Sequence, residues 1–509
     1  MKTFNKNLLL IYTTKFFGII TGFLSVLLVI PKLTSNPTIY GVYTICTSLG
    51  LFFSYADLGF LSACQKYAAE YYVKKELKQE MKIIAFALFI LAIFVGLILF
   101  FLAFVALNPS LIIKTTNLYD LKIASQLIFI LIAFAPVIII QKLNVLVFSI
   151  RIEDYIYQAI DIFFNIIKIG IISFFVTSSN YDIVGYYISI QLLTLLSSLT
   201  ALVIIKKKYQ YQLWYLVKQF HFSKEVFAKT KKLAFSSLLL TIAWILYFEM
   251  DTLILSKFYG VQTVAIYAVA VVFLNFLRNL YNTLFGPYNA YFYRFTAVND
   301  IEGLNNTFIT LMKWSFPLIV LPSLALILNM KTIIHIWVGT LYDKSILISQ
   351  MFVFTIALTA ICVPISYYFI ANSFNKSIRF LALLLPLVFY SSLVLFDFFG
   401  FKEYSLASAT LTTILINTFF IIAIMAFKTT LKIMSLLFSV LVKCSVPVII
   451  TFVLYNLIPT IDINSANSTS HFIQLGMSLF CTVLIPLLVY YFIEESTRKK
   501  IVFFLKSKY

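Results

Sequence analysis

The sequence predicts an all-α polytopic membrane protein, with about fourteen transmembrane helices in two pseudo-symmetric lobes around a central cavity. Three observations predict it. Hydrophobic residues make up 61% of the 509 and charged residues only 12%, with a mean hydropathy of +0.97, a balance outside that of soluble globular domains. The apolar residues gather into runs of about twenty, the length that crosses a hydrocarbon core about 30 Å thick. The third observation is a loose internal echo. With Tyr43 of IYGVYTI laid on Tyr267 of VAIYAVA, each half shows a span leaving a basic start, a short loop, a Tyr-led second span and a polar exit.

The runs fall at 8–30, 39–63, 83–107, 123–148, 156–176, 183–205, 233–256, 264–290, 310–329, 345–371, 378–399, 404–427, 434–458 and 472–493. They divide the chain into an N-terminal lobe of six helices (1–205), a basic amphipathic cytoplasmic connector (206–232), a C-terminal lobe of six helices (233–427), and two additional helices with a basic cytoplasmic tail (428–509). The N-terminus carries Lys15 inside its apolar run with no small-residue cleavage site after it, which reads as a retained first span. With that terminus inside, cytoplasmic segments hold 26 of the 39 Lys and Arg, external segments hold 7 and spans hold 6. This is the positive-inside bias, so the net charge of +19 is topogenic and calls for no nucleic acid. The membrane is read as a bacterial inner membrane, with both termini cytoplasmic.

Taken in order, the first span holds Lys15 about seven residues, or about 10 Å, from its cytoplasmic start. Asp57 of the second span sits at similar depth, and the two are expected to pair, sparing each a lone charge in hydrocarbon. Spans three to six carry Lys142, Asp161 and Lys168 with the amides Gln141, Asn165 and Gln191. Lys142 and Asp161 lie near the inner face, where they snorkel or pair, whereas Lys168, about twelve residues into its span, is expected to face a lumen. The connector is rich in lysine and aromatics between Tyr209 and Phe222, a composition that lies flat at a membrane interface. Its His221 reads as a surface residue. The seventh span has two acids, Glu249 and Asp251, near its outer end, with Trp244 and Tyr247 before them. The eighth places Asn275, Arg278, Asn279 and Asn282 on one face by i, i+3, i+4, i+7 spacing. That stripe is either a cavity lining or an interhelical hydrogen-bond seam. In the loop after span nine, His335 and Trp337 are expected at headgroup level. Prolines 136, 317, 322, 364, 386, 447 and 486 interrupt helical runs and can kink them. The outer segment DINSANSTSHF carries an Asn-Ser-Thr triplet at 467–469, which nothing else in the sequence connects to glycosylation.

Enzyme chemistry finds no support. The outer loops are short, and the five cysteines are scattered without CxxC spacing, which points to neither a disulfide framework nor a metal site. No Gly-rich phosphate loop, Cys/His cluster or Ser/His/Asp set occurs, and the histidines are three. No cofactor is implied. Ten ionisable groups in the spans are Lys15, Lys142, Lys168, Arg278, Lys313, Lys443, Asp57, Asp161, Glu249 and Asp251. Left in lipid at roughly 3 kcal/mol each they would cost about 30 kcal/mol, beyond the net stability of a fold. Most must therefore share an interior, and six cations against four acids suit an anionic passenger.

Four segments carry a family resemblance: YGVYTICTSLGLFFSYADLGF (Tyr40–Phe60), QKYAAEY (Gln65–Tyr71), MDTLILSKFYGVQTVAIYAVA (Met250–Ala270) and IWVGTLYDKS (Ile336–Ser345). In order and position they resemble the polysaccharide-transport branch of the multidrug/oligosaccharidyl-lipid/polysaccharide exporter superfamily. The resemblance implies a flippase for undecaprenyl-pyrophosphate-linked oligosaccharide repeat units of O-antigen, capsule or exopolysaccharide, with two lobes around a cationic cavity and alternating access. It carries functional charge to Lys15, Asp57, Asp251 and Arg278, while Glu249 stands outside the family pattern. On this reading Lys15, Lys168 and Arg278 attract the pyrophosphate, and Gln191, Asn275 and Asn282 contact sugars. Asp57, Glu249 or Asp251 exchanges a proton or Na⁺. The partners are a lipid-linked oligosaccharide, inner-membrane lipids and a polysaccharide polymerase. The alternatives are a lipid II flippase or a cation-coupled multidrug exporter of the same superfamily. A lipid-linked-sugar polymerase or ligase is disfavoured by the missing large outer loop.

Overall fold

Caps, prolines and left-handed turns cut the apolar sequence into helices. The computed structural model describes residues 2–177, 180–286, 288–458 and 468–494. Asn467 of the outer triplet and the basic tail after Glu494 lie outside the described residues. Among the described residues there are nineteen α-helices, and the β-pairing is an isolated bridge between Val176 and Tyr181. The chain divides into two compact units, Met1–Ala268 and Val269–Tyr509.

The first unit begins with α1 (Lys2–Leu33) and α2 (Pro37–Ser54). Asn36 caps α2 by accepting from the Ile39 N–H at 3.2 Å, and Pro37 fills the first helical position, where no N–H is needed. α2 stops at a turn through Leu58 and Gly59, both left-handed, and α3 (Phe60–Val73) restarts the chain. α4 (Leu77–Leu107) runs apolar from Ile83 onward. α5 (Leu118–Phe134) bends by 47° into α6 (Pro136–Ile150), because Pro136 offers no N–H and its ring displaces the preceding turn. α7 (Asp154–Phe175), α8 (Ile183–Tyr209), the short α9 (Leu213–Lys218), α10 (Lys224–Phe248) and α11 (Asp251–Tyr259) follow. Gly260, at φ 90°, allows the reversal into α12 (Val261–Phe285), within which the division between units falls. In this unit α1 packs on α7, α7 on α8, α2 on α5, and α3 on α4 and α10. Where α2 passes the start of α12, a Cβ on Gly41 would lie 2.1 Å from the carbonyl oxygen of Val261. Only a hydrogen fits there, the close approach that small residues permit between membrane helices.

The basic segment after α8 is pinned to the rest of the first unit. Glu80 and Arg151 form a buried ion pair at 2.8 Å. Arg151 lies over the rings of Tyr72, Tyr209 and Tyr211 at 4.6 to 5.2 Å, and Tyr211 donates to Glu80. Burial, opposed by Arg151 and reinforced by Glu80, holds the Tyr211 phenol above its ordinary range. Lys208 bridges Glu153 at 2.6 Å, and Phe220 and Phe222 pack on Phe89 and Phe86.

The second unit contains the rest of α12, then α13 (Tyr288–Ala297), α14 (Ile301–Val338), α15 (Asp343–Ala371), α16 (Asn375–Phe398), α17 (Ser405–Lys428), α18 (Ile433–Leu457) and α19 (Ser468–Ile493). Asp300 caps α14 by accepting from Gly303 N–H at 2.7 Å. Buried small residues, among them Ser315, Ser323, Ser349, Ala360, Ser405, Ala407 and Ala409, bring α14, α15 and α17 together around Phe308, Phe352 and Met425. α14 continues through Pro317 and Pro322, α15 through Pro364, α16 through Pro386, α18 through Pro447 and α19 through Pro486. Trp337 is buried against Phe273 at 5.6 Å, and His335 Nε2 lies 2.6 Å from Asp343 Oδ1.

Each of the fourteen apolar runs is mostly helical among the described residues. Among the described residues eleven helices are long and apolar enough to cross a membrane, or twelve with the bent α5–α6 pair counted as one span. The two runs outside that set, 39–63 and 233–256, are each broken in two. The breaks fall beside the acids: at Tyr55–Gly59 next to Asp57, and at Glu249–Met250 before Asp251.

Candidate functional site

The first unit concentrates membrane-embedded polar groups in two places. One is a stripe along α7. Asp154, Gln158, Asp161, Asn165 and Lys168 follow each other at steps of four, three, four and three residues, so they share one helix face for about 21 Å. α1 and α8 meet this face. Thr14 donates to Gln158 Oε1 at 2.8 Å, Ser197 donates to Asp161 Oδ1 at 2.8 Å, and Lys15 is the cation acting on Asp154. Asn165 is exposed, and Lys168 is half-buried with Asp161 as its acidic neighbour two turns away. Among the described residues no hydrogen bond or ion pair fixes the Lys168 ammonium.

The other place is where the two broken spans meet. At the end of α2 the Ser54 carbonyl accepts from Lys142 Nζ at 3.0 Å, so a cation faces the negative end of that helix. Asp57 Oδ2 accepts from the N–H groups of Gly59 and Leu61 at 3.2 and 3.3 Å, capping α3. Between them, Tyr55 reaches across to the second break and donates to Glu249 Oε1 at 2.8 Å. Trp244 Nε1 lies 3.3 Å from the same oxygen and 3.0 Å from the Tyr55 hydroxyl. Asp251 opens α11 and accepts from Tyr267 of α12. Lys142 thus caps a helix end.

In the second unit Asn275, Asn279 and Asn282 of α12 are exposed and Arg278 is half-buried, the one-sided stripe that their spacing predicts. A separate cluster ties three helices: Lys313 of α14 and Lys443 of α18 both bridge Glu494, at the end of α19, at 3.0 and 2.6 Å. The Glu494 carboxylate is 3% exposed.

One sequence expectation needs correction. Lys15 does not pair with Asp57, because α1 packs on α7 instead of on its sequence neighbour, and the Asp57 oxygen is taken by the first N–H groups of α3. Asp154 and Glu494, two residues before and one residue after their apolar runs, are further acids at the helix ends. The spacing along α7 would have found Asp154 and Gln158. No signal marked Glu494. Gln191 lies on α8 within hydrogen-bonding reach of Tyr187, whose ring is 5.8 Å from that of Tyr43. Among the described residues no group of three or more His, Cys, Asp or Glu is arranged to hold a metal ion.

Broken membrane helices with charged groups at their breaks, set in an all-helical polytopic fold, are features of secondary transporters. Solved structures share this fold. The chain shares its fold with a lipid II flippase, MurJ, in an inward closed conformation (TM-score 0.69, 15% identity, 99% of this chain and 100% of that one). It also shares it with a multidrug resistance MATE family transporter in an inward-facing conformation (0.60, 12%, 82% and 96%) and a transporter of the same superfamily from Pyrococcus furiosus (0.54, 13%, 84% and 97%). The profile of the family described as "Polysaccharide biosynthesis protein" matches residues 6–289. The chain belongs to that family. No curated protein matches it.

Proposed function

We propose that this protein is a flippase that carries undecaprenyl-pyrophosphate-linked oligosaccharide repeat units from the cytoplasmic to the outer leaflet of a bacterial inner membrane, for surface polysaccharide synthesis. The observation that carries the reading is the α7 stripe. A polar face about 21 Å long, on a helix otherwise apolar, offers amide and carboxylate partners along the length of an oligosaccharide head, with Lys168 available to a phosphate. The polyprenyl tail needs no such face and stays in lipid. Lys15 and Arg278 are proposed as further pyrophosphate contacts, and Gln191, Asn275 and Asn282 as sugar contacts, in an alternating-access cycle. A polysaccharide polymerase is the proposed receiver of the flipped unit. The family description supports the pathway, and the fold supports transport.

Ion coupling is proposed for Glu249 and Asp251. Each accepts from a tyrosine hydroxyl, which can donate to a carboxylate and, rotated, accept from the protonated acid, so proton gain need not break the contact. Asp57 is engaged by backbone N–H groups, which only donate, and its proposed part is to hold the α3 break.

The test is reconstitution in proteoliposomes with a defined undecaprenyl-pyrophosphate-linked oligosaccharide, with outer-leaflet sugar read by an added glycosidase. Lys168→Gln is expected to slow flipping about tenfold or more, a loss of at least ~1.4 kcal/mol in transport. Flipping of lipid II alone, or export of a lipophilic cation alone, overturns the substrate assignment.

A further inference from the structure

The polar groups in the spans are accounted for by the transport reading, but the connector between α8 and α10 is not. α9 is amphipathic with the larger apolar side turned outward. Leu216 is 6% exposed and packs inward, while Trp214 is 81% and Val217 63% exposed. Lys206, Lys207, Lys218 and Lys224 are exposed around it. Such a surface would be poorly placed in water.

Its depth can be measured along α4. The last charge on that helix is Lys82, and the apolar run starts at Ile83. Phe86 and Phe89 therefore stand about 5 and 9 Å into the hydrocarbon by helical rise. Phe222 and Phe220 pack against those two rings, tilted and edge-on, at 5.9 and 5.6 Å between centroids. The segment just after α9 is thus at acyl-chain level, which leaves α9 itself at headgroup level. The buried Glu80–Arg151 pair, with Tyr211 bonded to Glu80, fixes that level from the other side.

We propose that α9 and its flanking lysines form a binding surface for anionic lipid headgroups of the cytoplasmic leaflet, with Trp214 and Val217 inserted between headgroups and Lys206, Lys207 and Lys218 on the phosphates. Charge complementarity selects the occupant: the exposed cations around α9 have no acidic residue on α9 to answer them, and an anionic leaflet supplies that charge next to the apolar pair. The surface is independent of the transported substrate.

The experiment uses the full chain in phosphatidylcholine nanodiscs containing the same mole fraction of brominated phosphatidylglycerol or brominated phosphatidylcholine. The Trp214 signal is obtained by subtracting the emission of Trp214→Phe. Brominated phosphatidylglycerol is expected to quench that signal at least about twofold more than brominated phosphatidylcholine, and the triple variant K206Q/K207Q/K218Q is expected to bring the two to equality. Equal quenching in the unaltered protein overturns the preference for anionic lipid. Absence of quenching by either lipid overturns the lipid surface altogether and points to water or a protein partner over Trp214. Persistence of the preference in the triple variant overturns the role given to the lysines.

Discussion

Glu494 in the second unit and Glu249 in the first are held in opposite ways. In the second unit Glu494 is buried between two ammonium groups, Lys313 and Lys443. In the first, Asp161 accepts from a serine, Glu249 from a tyrosine and a tryptophan, Asp251 from a tyrosine and Asp57 from backbone. A carboxylate between two cations is locked ionised, since removing its charge would strand both lysines. Glu249, held by a hydroxyl and an indole N–H and in no ion pair among the described residues, can gain or lose a proton without stranding a formal charge. The contrast separates charges that hold helices together from charges that can take part in a transport cycle.

The largest effect tests the lock. Glu494→Gln leaves two lysines facing each other and is expected to cost about 3 kcal/mol, the lysines being a quarter to a third exposed. Thermal unfolding in detergent should show the loss, while flipping per folded molecule stays within about twofold. An unchanged melting temperature would break the comparison from that side. Glu249→Gln tests the other side. Glutamine still accepts from Tyr55 and Trp244, so stability should fall by no more than about 1 kcal/mol. Flipping is expected to drop about tenfold and to lose its dependence on an imposed proton or Na⁺ gradient. Retained gradient dependence would remove Glu249 from coupling.

Asp57 sharpens the comparison further. Asp57→Ala removes a cap and should cost about 1 kcal/mol, whereas Asp57→Asn keeps it. Near-normal flipping in the asparagine variant is the expected result, and a loss equal to that of Glu249→Gln would make Asp57 a coupling acid. The smallest effect lies outside the membrane. Hydrogen bonds from Lys82 and Lys229 hold the exposed Glu225 carboxyl below its ordinary range. Because the folded value is depressed, the tie of α10 to α4 is fully present above the ordinary glutamate range and weakens as pH falls through the lowered value. Hydrogen exchange in the first turn of α10 should accelerate only in that acid window.

Much of the fold was legible because apolar run length reports a membrane crossing: twelve of the fourteen runs fall on helices, or a bent helix pair, long and apolar enough to cross. The breaks were not, since Ser54–Phe60 and Phe248–Asp251 remain apolar enough to read as continuous. What ends those helices is a left-handed turn at Leu58–Gly59 and side-chain partners remote in sequence. The α12 stripe was legible from spacing alone. Glu494 escaped because it follows its run by one residue, and Asp154 because it precedes its run by two. The Lys15–Asp57 pairing failed for a different reason: consecutive helices were assumed to be neighbours, and α1 lies on α7.

Gly41 gives this architecture a mechanical consequence. Fourteen residues of helix, about 21 Å, separate the crossing at Gly41 from Tyr55, so α2 acts as a rigid arm whose pivot is a bare backbone contact with Val261. One added methyl at the pivot tilts the arm and swings its tip away from Glu249. A change as small as Gly41→Ala, far from any charge, should therefore weaken the Tyr55–Glu249 contact and be felt as a transport defect.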